Sequence, residues 1–180
     1  MIISTFKELK RNLKKEVATL PTLKVALLGD NATQFLAIAV KGIGIESGYN
    51  IQLFEADYNQ VERQFLDPSS ELYSFEADYV VVSQCTHKLL SSYNNKSVDN
   101  QSNTASKRLE LVKLMCNSLK SKLIYFNYPE IEDNVFGGYA NKVESSFTYQ
   151  LRKLNYELMN LAGQYSNLFI CDIAALHNKF

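Results

Sequence analysis

Apolar and polar positions alternate along the chain with two periods. Residues 5–19 place Phe6, Leu9, Leu13 and Val17 three or four apart with lysines between, the pattern of an amphipathic helix that Pro21 terminates. Leu23-Lys24-Val25-Ala26-Leu27-Leu28 then reads as a buried strand, stopped by Gly29-Asp30-Asn31. An apolar helix is expected over 33–40, broken by Gly42, Gly44 and Gly48. A second strand follows over 49–54 and a short helix over 59–66. Asp78-Tyr79-Val80-Val81-Val82-Ser83 has the β-branched run of a central parallel strand. Residues 91–106, rich in Asn and Ser, predict a long exposed loop, followed by a helix over 107–119 with Leu109, Val112, Met115 and Cys116 inward. Lys122 to Phe126 is the fourth strand and 127–139 a second loop. The longest helix is expected over 142–163, with Phe147, Leu151, Leu154, Leu158 and Leu161 on one side. Leu168 to Cys171 closes the series before a last helix from Ile173.

Five strands alternating with helices require right-handed crossovers, and hence a parallel sheet covered on both faces. The expected architecture is a three-layer α/β/α sandwich over residues 1–180, a single domain of strand order 2-1-3-4-5 with an N-terminal amphipathic helix inside 1–20. In such sheets ligands sit at the carboxyl ends of the strands, where the order reverses. The residues just past each strand are therefore the candidates. They are Gly29, Asp30, Asn31 and Thr33 after the first and Glu55 and Asp57 after the second. Gln84 and His87 follow the third, Asn127 the fourth, and Asp172 the fifth with His177 five residues on.

Gly29 permits a tight turn, and the helix behind it offers free N–H groups, whereas Asp30 or Asn31 would equally serve as a cap. There is no Gly-x-Gly-x-x-Gly and no Gly-Lys-Thr, so neither a dinucleotide nor a nucleoside triphosphate site is indicated. Asp172 with His177, or His87, would supply an orienter and a base. Against that stand the plain readings of Asp172 as a helix cap and of both histidines as solvated. Glu55 and Asp57 lack a third ligand, so no metal site is read from them.

Composition narrows the field further. Lysines and arginines (19) balance aspartates and glutamates (19), which gives no bulk attraction to nucleic acid or to an anionic membrane. No apolar run reaches the roughly 18 residues of a membrane span. Three scattered cysteines, Cys85, Cys116 and Cys171, form neither a disulfide framework nor a zinc spacing, and point to reduced thiols in the cytoplasm.

Gly29-Asp30-Asn31 after the first strand, Asn127 after the fourth and Asp172 after the fifth resemble the block layout of SGNH (GDSL-type) hydrolases. Longer segments are similar to the N-terminal domain of FkbH-like proteins. They run from Leu27 to Leu36, from Phe54 to Gln60, from Leu66 to Tyr73, from Leu151 to Asn155 and from Cys171 to Leu176. The resemblance implies an SGNH-like domain preceding a phosphatase domain of the haloacid dehalogenase superfamily, subfamily IIIC. It implies partners in that C-terminal domain and in an acyl carrier protein or small acyl ligand. No cofactor is implied for this part, a divalent metal belonging to the phosphatase domain. The chain departs from the hydrolase pattern in two places. Asn31 stands where the nucleophilic serine would be, and Ala175 where a histidine would follow the last Asp, with His177 two positions late. Two expectations follow: a binding domain with little or no catalysis, or an esterase or acyltransferase with rearranged catalytic residues.

Overall fold

A computed structural model describes residues 4–131 and 133–177 of the 180. Five strands are ordered β2-β1-β3-β4-β5, an α/β fold with helices on both sides of the sheet, as the alternation predicts. The chain divides into two compact units, Met1–Val82 and Ser83–Phe180.

In the first unit, β1 (Thr22–Gly29) pairs in parallel with β2 (Asn50–Glu55), in register from Thr22 opposite Asn50 to Leu27 opposite Glu55. The apolar run makes Val25, Ala26, Leu27 and Leu28 core. Helix α1 (Phe6–Asn12) starts at a capping box, in which Thr5 and Glu8 satisfy each other's backbone N–H groups. It ends well short of residue 19. Asn12, its last residue, is buried, and its side-chain amide donates to the Gly42 carbonyl at 3.3 Å. Helix α2 (Gln34–Glu46) runs through Gly42 and Gly44, which do not break it. Both glycines are there for close approach. A Cβ on Gly44 would lie 2.2 Å from Ile51 Cγ1, and one on Gly42 would lie 2.5 Å from the Leu9 carbonyl oxygen. The break falls at Gly48, whose φ of 83° favours glycine.

Helix α3 (Val61–Leu66) begins later than expected because Asn59 has a left-handed φ of 61°. Helix α4 (Glu71–Phe75) was not foreseen. Asp67 Oδ1 accepts from both the backbone and the hydroxyl of Ser69, turning the chain into it. Strand β3 (Tyr79–Ser83) follows, with Val80 and Val82 fully buried.

The second unit departs most from expectation. The segment expected as a loop, 91–106, holds the end of α5 (Thr86–Asn94), all of α6 (Val98–Gln101) and the first turn of α7 (Thr104–Ser118), the helix expected from 107. Few residues anchor it. Tyr93 packs edge-to-face on Phe147 with ring centroids 5.4 Å apart, Thr104 and Ala105 are buried, and the Ala105 N–H donates to Gln150 Oε1 at 2.9 Å. On α7, Val112, Met115 and Cys116 face the core, whereas Leu109 is only half-buried. Strands β4 (Lys122–Phe126) and β5 (Leu168–Cys171) pair in parallel, Leu123 opposite Leu168. Residues Gly137–Lys142 form a 3₁₀ turn. The long helix α8 (Phe147–Gln164) starts after it, at Ser146, whose side chain accepts from the Tyr149 N–H. Its five expected core positions are all buried. Helix α9 (Ile173–His177) completes the described chain.

Candidate functional site

Within the first unit, the carboxyl ends of β1 and β2 border a concavity of about 360 Å³. Its walls are Gly29 and residues 31–34 on one side and residues 55–58 on the other. The sheet register explains the meeting, since Leu27 and Glu55 are partners and the two chains leave the sheet together. Three of the four residues proposed from the first turn line it: Gly29, Asn31 and Thr33. Asp30 is 7% exposed and is not among the lining residues. Asn31 is exposed.

Thr33 occupies the N-cap position of α2, but its hydroxyl does not cap the helix. It donates to Glu55 Oε2 at 2.9 Å, tying one wall to the other. Glu55 and Asp57 thus give the concavity two carboxylates, and Tyr58 adds an exposed ring.

In the second unit, Asn127 and Asp172 meet. Asn127 Nδ2 donates to Asp172 Oδ1 at 2.8 Å, and its Oδ1 accepts the Ala174 N–H at 3.0 Å. Asp172 Oδ1 also accepts the Ala175 N–H at 3.0 Å. Both side chains therefore hold the start of α9, satisfying N–H groups that a helix leaves open. His177 is exposed at the far end of that helix. Five residues on an α-helix span about 500°, so Asp172 and His177 leave its axis roughly 140° apart. Cys171 beside Asp172 has its thiol pushed up, by burial first and by the carboxylate second.

His87 lies on the first turn of α5, not on a loop. It is exposed, with Nδ1 3.9 Å from Cys85 Sγ. Gln84, between β3 and α5, carries a network that the sequence did not disclose. Its Oε1 accepts from Tyr125 Oη at 2.8 Å, Tyr128 Oη at 3.2 Å and Arg108 Nη1 at 3.2 Å, and the two tyrosine oxygens lie 2.8 Å apart. Both tyrosines are fully buried. Asn155 on α8 clamps the Tyr128 backbone, accepting its N–H at 3.0 Å and donating to its carbonyl at 2.7 Å. Among the described residues, no group of three or more His, Cys, Asp or Glu side chains is arranged to hold a metal ion. Among them, too, no helix is long and apolar enough to cross a membrane.

Residues 24–180 match the sequence profile of the FkbH N-terminal domain. The chain belongs to this family. A solved structure with the same fold is the N-terminal part of the protein BF1531 from Bacteroides fragilis, containing a phosphatase domain complexed with Mg. It is 55% identical, superposes with a TM-score of 0.96, and the match covers 98% of this chain and 47% of that one. This FkbH N-terminal domain thus spans about half the length of the solved relative. No curated protein matches it.

Proposed function

We propose that this FkbH N-terminal domain is the accessory, ligand-binding part of a protein that also carries a phosphatase domain, and that it performs little or no acyl chemistry itself. What supports this reading is the first-unit concavity, lined by Asn31, the residue that the resemblance to SGNH-like hydrolases sets in the place of their serine. A carboxamide cannot form an acyl-enzyme, because its nitrogen is delocalised into the carbonyl and is a poor nucleophile. Asp172 keeps the place of the last aspartate and Ala175 stands where its histidine would follow. Asp172 is spent on α9, and His177 leaves the helix on a different side.

In this reading Gly29, Asn31 and Thr33 shape a pocket for a small acyl group, free or on an acyl carrier protein. The phosphatase domain, of the haloacid dehalogenase type and subfamily IIIC, performs the hydrolysis. The divalent metal belongs to that domain. The protein works in the cytoplasm, where its cysteines stay reduced.

Hydrolysis of short-chain p-nitrophenyl esters tests the reading, with wild type, Asn31→Ser and Asp172→Ala run side by side. We expect a silent wild type, and a gain in Asn31→Ser if the pocket is still shaped for acyl groups. Wild-type turnover that disappears in Asp172→Ala would overturn the proposal and identify an esterase or acyltransferase with rearranged catalytic residues.

A further inference from the structure

We infer that Gln84 presents its side-chain amide nitrogen as a fixed hydrogen-bond donor to an anionic oxygen, a ligand carboxylate, and that Arg108, Tyr125 and Tyr128 are the positioning residues that hold it so. The orientation of the amide follows from the partners. Arg108 can only donate, and its Nη1 lies 3.2 Å from Gln84 Oε1, so the atom facing it must be the oxygen. Tyr125 Oη donates to the same oxygen at 2.8 Å, and Tyr128 Oη stands 2.8 Å from Tyr125 Oη and 3.2 Å from Gln84 Oε1. The tyrosine hydroxyls could accept from a flipped amide, but the guanidinium cannot, so Arg108 fixes the orientation.

Nε2 is thereby turned away from the cluster. It donates no hydrogen bond to any described residue. Nor is it a buried orphan, since the buried side-chain atom left unpartnered among those residues is Asp133 Oδ2. Its two N–H groups therefore reach solvent just past the end of β3, where ligands of parallel sheets are held.

The cluster also sets the kind of acceptor preferred. Three donors on the carbonyl oxygen, one of them a guanidinium, draw electron density from the amide and make its N–H groups more positive. A charged oxygen gains more from that than a neutral one. Two fully buried tyrosine hydroxyls are a large outlay for packing alone, because phenylalanine would fill the same volume without polar atoms needing partners. Asn155 fixes the Tyr128 backbone on both its N–H and its carbonyl, so the hydroxyl is aimed from a rigid base.

This inference rests on the binding-domain reading but uses side chains other than those lining the first-unit concavity, so the two can fail separately. The test is a titration of the ¹⁵N-labelled 180-residue chain with sodium acetate at constant ionic strength, acetamide being the neutral control. The side-chain amide signals of Gln84 and Asn31 are followed, with Gln84→Leu and Asn31→Ala providing the assignments. We expect a saturable shift at Gln84 that is larger with acetate than with acetamide. In Tyr125→Phe and in Tyr128→Phe we expect the apparent affinity to fall about fivefold, the loss of one such hydrogen bond. Phenylalanine keeps the buried ring, and unchanged backbone spectra would show that these variants fold. An unmoved Gln84 while Asn31 responds would overturn this inference and leave the binding reading standing. A Gln84 shift of equal size in both phenylalanine variants would overturn the positioning role.

Discussion

The strand ends of the two units put the same residue type to opposite uses. Asn31, after β1, is exposed and lines a concavity. Asn127, after β4, is buried, and its side chain is engaged on both polar atoms, donating to Asp172 and accepting from Ala174. An asparagine past a parallel strand thus tells little by position alone. What separates a binding group from a structural one is whether its donors and acceptors are already satisfied.

The sharpest test of that contrast is Asn127→Ala. It leaves the Ala174 N–H without its acceptor and takes from Asp172 the Asn127 donor, while the Ala175 N–H stays on that carboxylate. The expected loss is about 2–3 kcal/mol, or a fall in melting temperature of roughly 5–10 °C for a chain of this size. Thermal melts read it directly. A change under about 0.5 kcal/mol would show that the Asn127–Asp172 pair does not hold α9 in solution.

Strands and long helices were legible because local pattern and tertiary burial agree in them. The run Tyr79–Ser83 can hardly be anything but a buried strand, and Phe147 with the leucines of α8 repeats on one face as far as Leu161. Helices α4, α5 and α6 were not legible, since each is short and α5 depends on a few anchors such as Tyr93 in a polar stretch. The glycines of α2 misled for a related reason: their use lies in contacts with Leu9 and Ile51, which no local window contains. The candidate site divides in the same way. Gly29, Asn31 and Thr33 fall within five residues at the end of a recognisable strand, so their place beside the concavity could be read from position. Arg108, Tyr125 and Tyr128 come from separate elements, and a tyrosine inside a strand reads as core until its hydroxyl is seen to have a destination.

A second contrast is carried by the cysteines. Burial pushes the Cys116 thiol on α7 up to about 11, from an ordinary 9.0. The folded state therefore holds a proton that the unfolded chain gives up. The associated stability is complete below pH 9 and is lost as pH rises from about 9 to about 11. Melting temperatures across that window should decline more steeply in wild type than in Cys116→Val, which has nothing to ionise. At pH 8, iodoacetamide should label Cys116 more slowly than the half-buried Cys85.

A smaller effect is expected at the concavity. Thr33→Val removes the hydroxyl that bridges to Glu55 Oε2 but keeps the side-chain shape. Its expected cost is about 1 kcal/mol, the net worth of one such bond. The informative quantity is the comparison with Asn127→Ala in the same denaturation series. A loss at Thr33 equal to that at Asn127 would make the concavity as much a structural device as the start of α9.

The smallest expected effect is at Asn31. Its side chain is exposed, and no described residue forms a hydrogen bond with it, so Asn31→Ser should change stability by less than about 0.5 kcal/mol. That neutrality makes the serine variant a fair probe, because any gain of ester hydrolysis then reports pocket shape rather than a refolded site. It also carries the opening contrast to its limit. If denaturant melts show that Asn31→Ser costs as much as Asn127→Ala, the asparagine after β1 is structural too, and the difference between the two strand ends collapses. If the cost is near zero, the residue stands where selection for folding makes no demand, and its place on the wall of a concavity is accounted for by what that concavity binds.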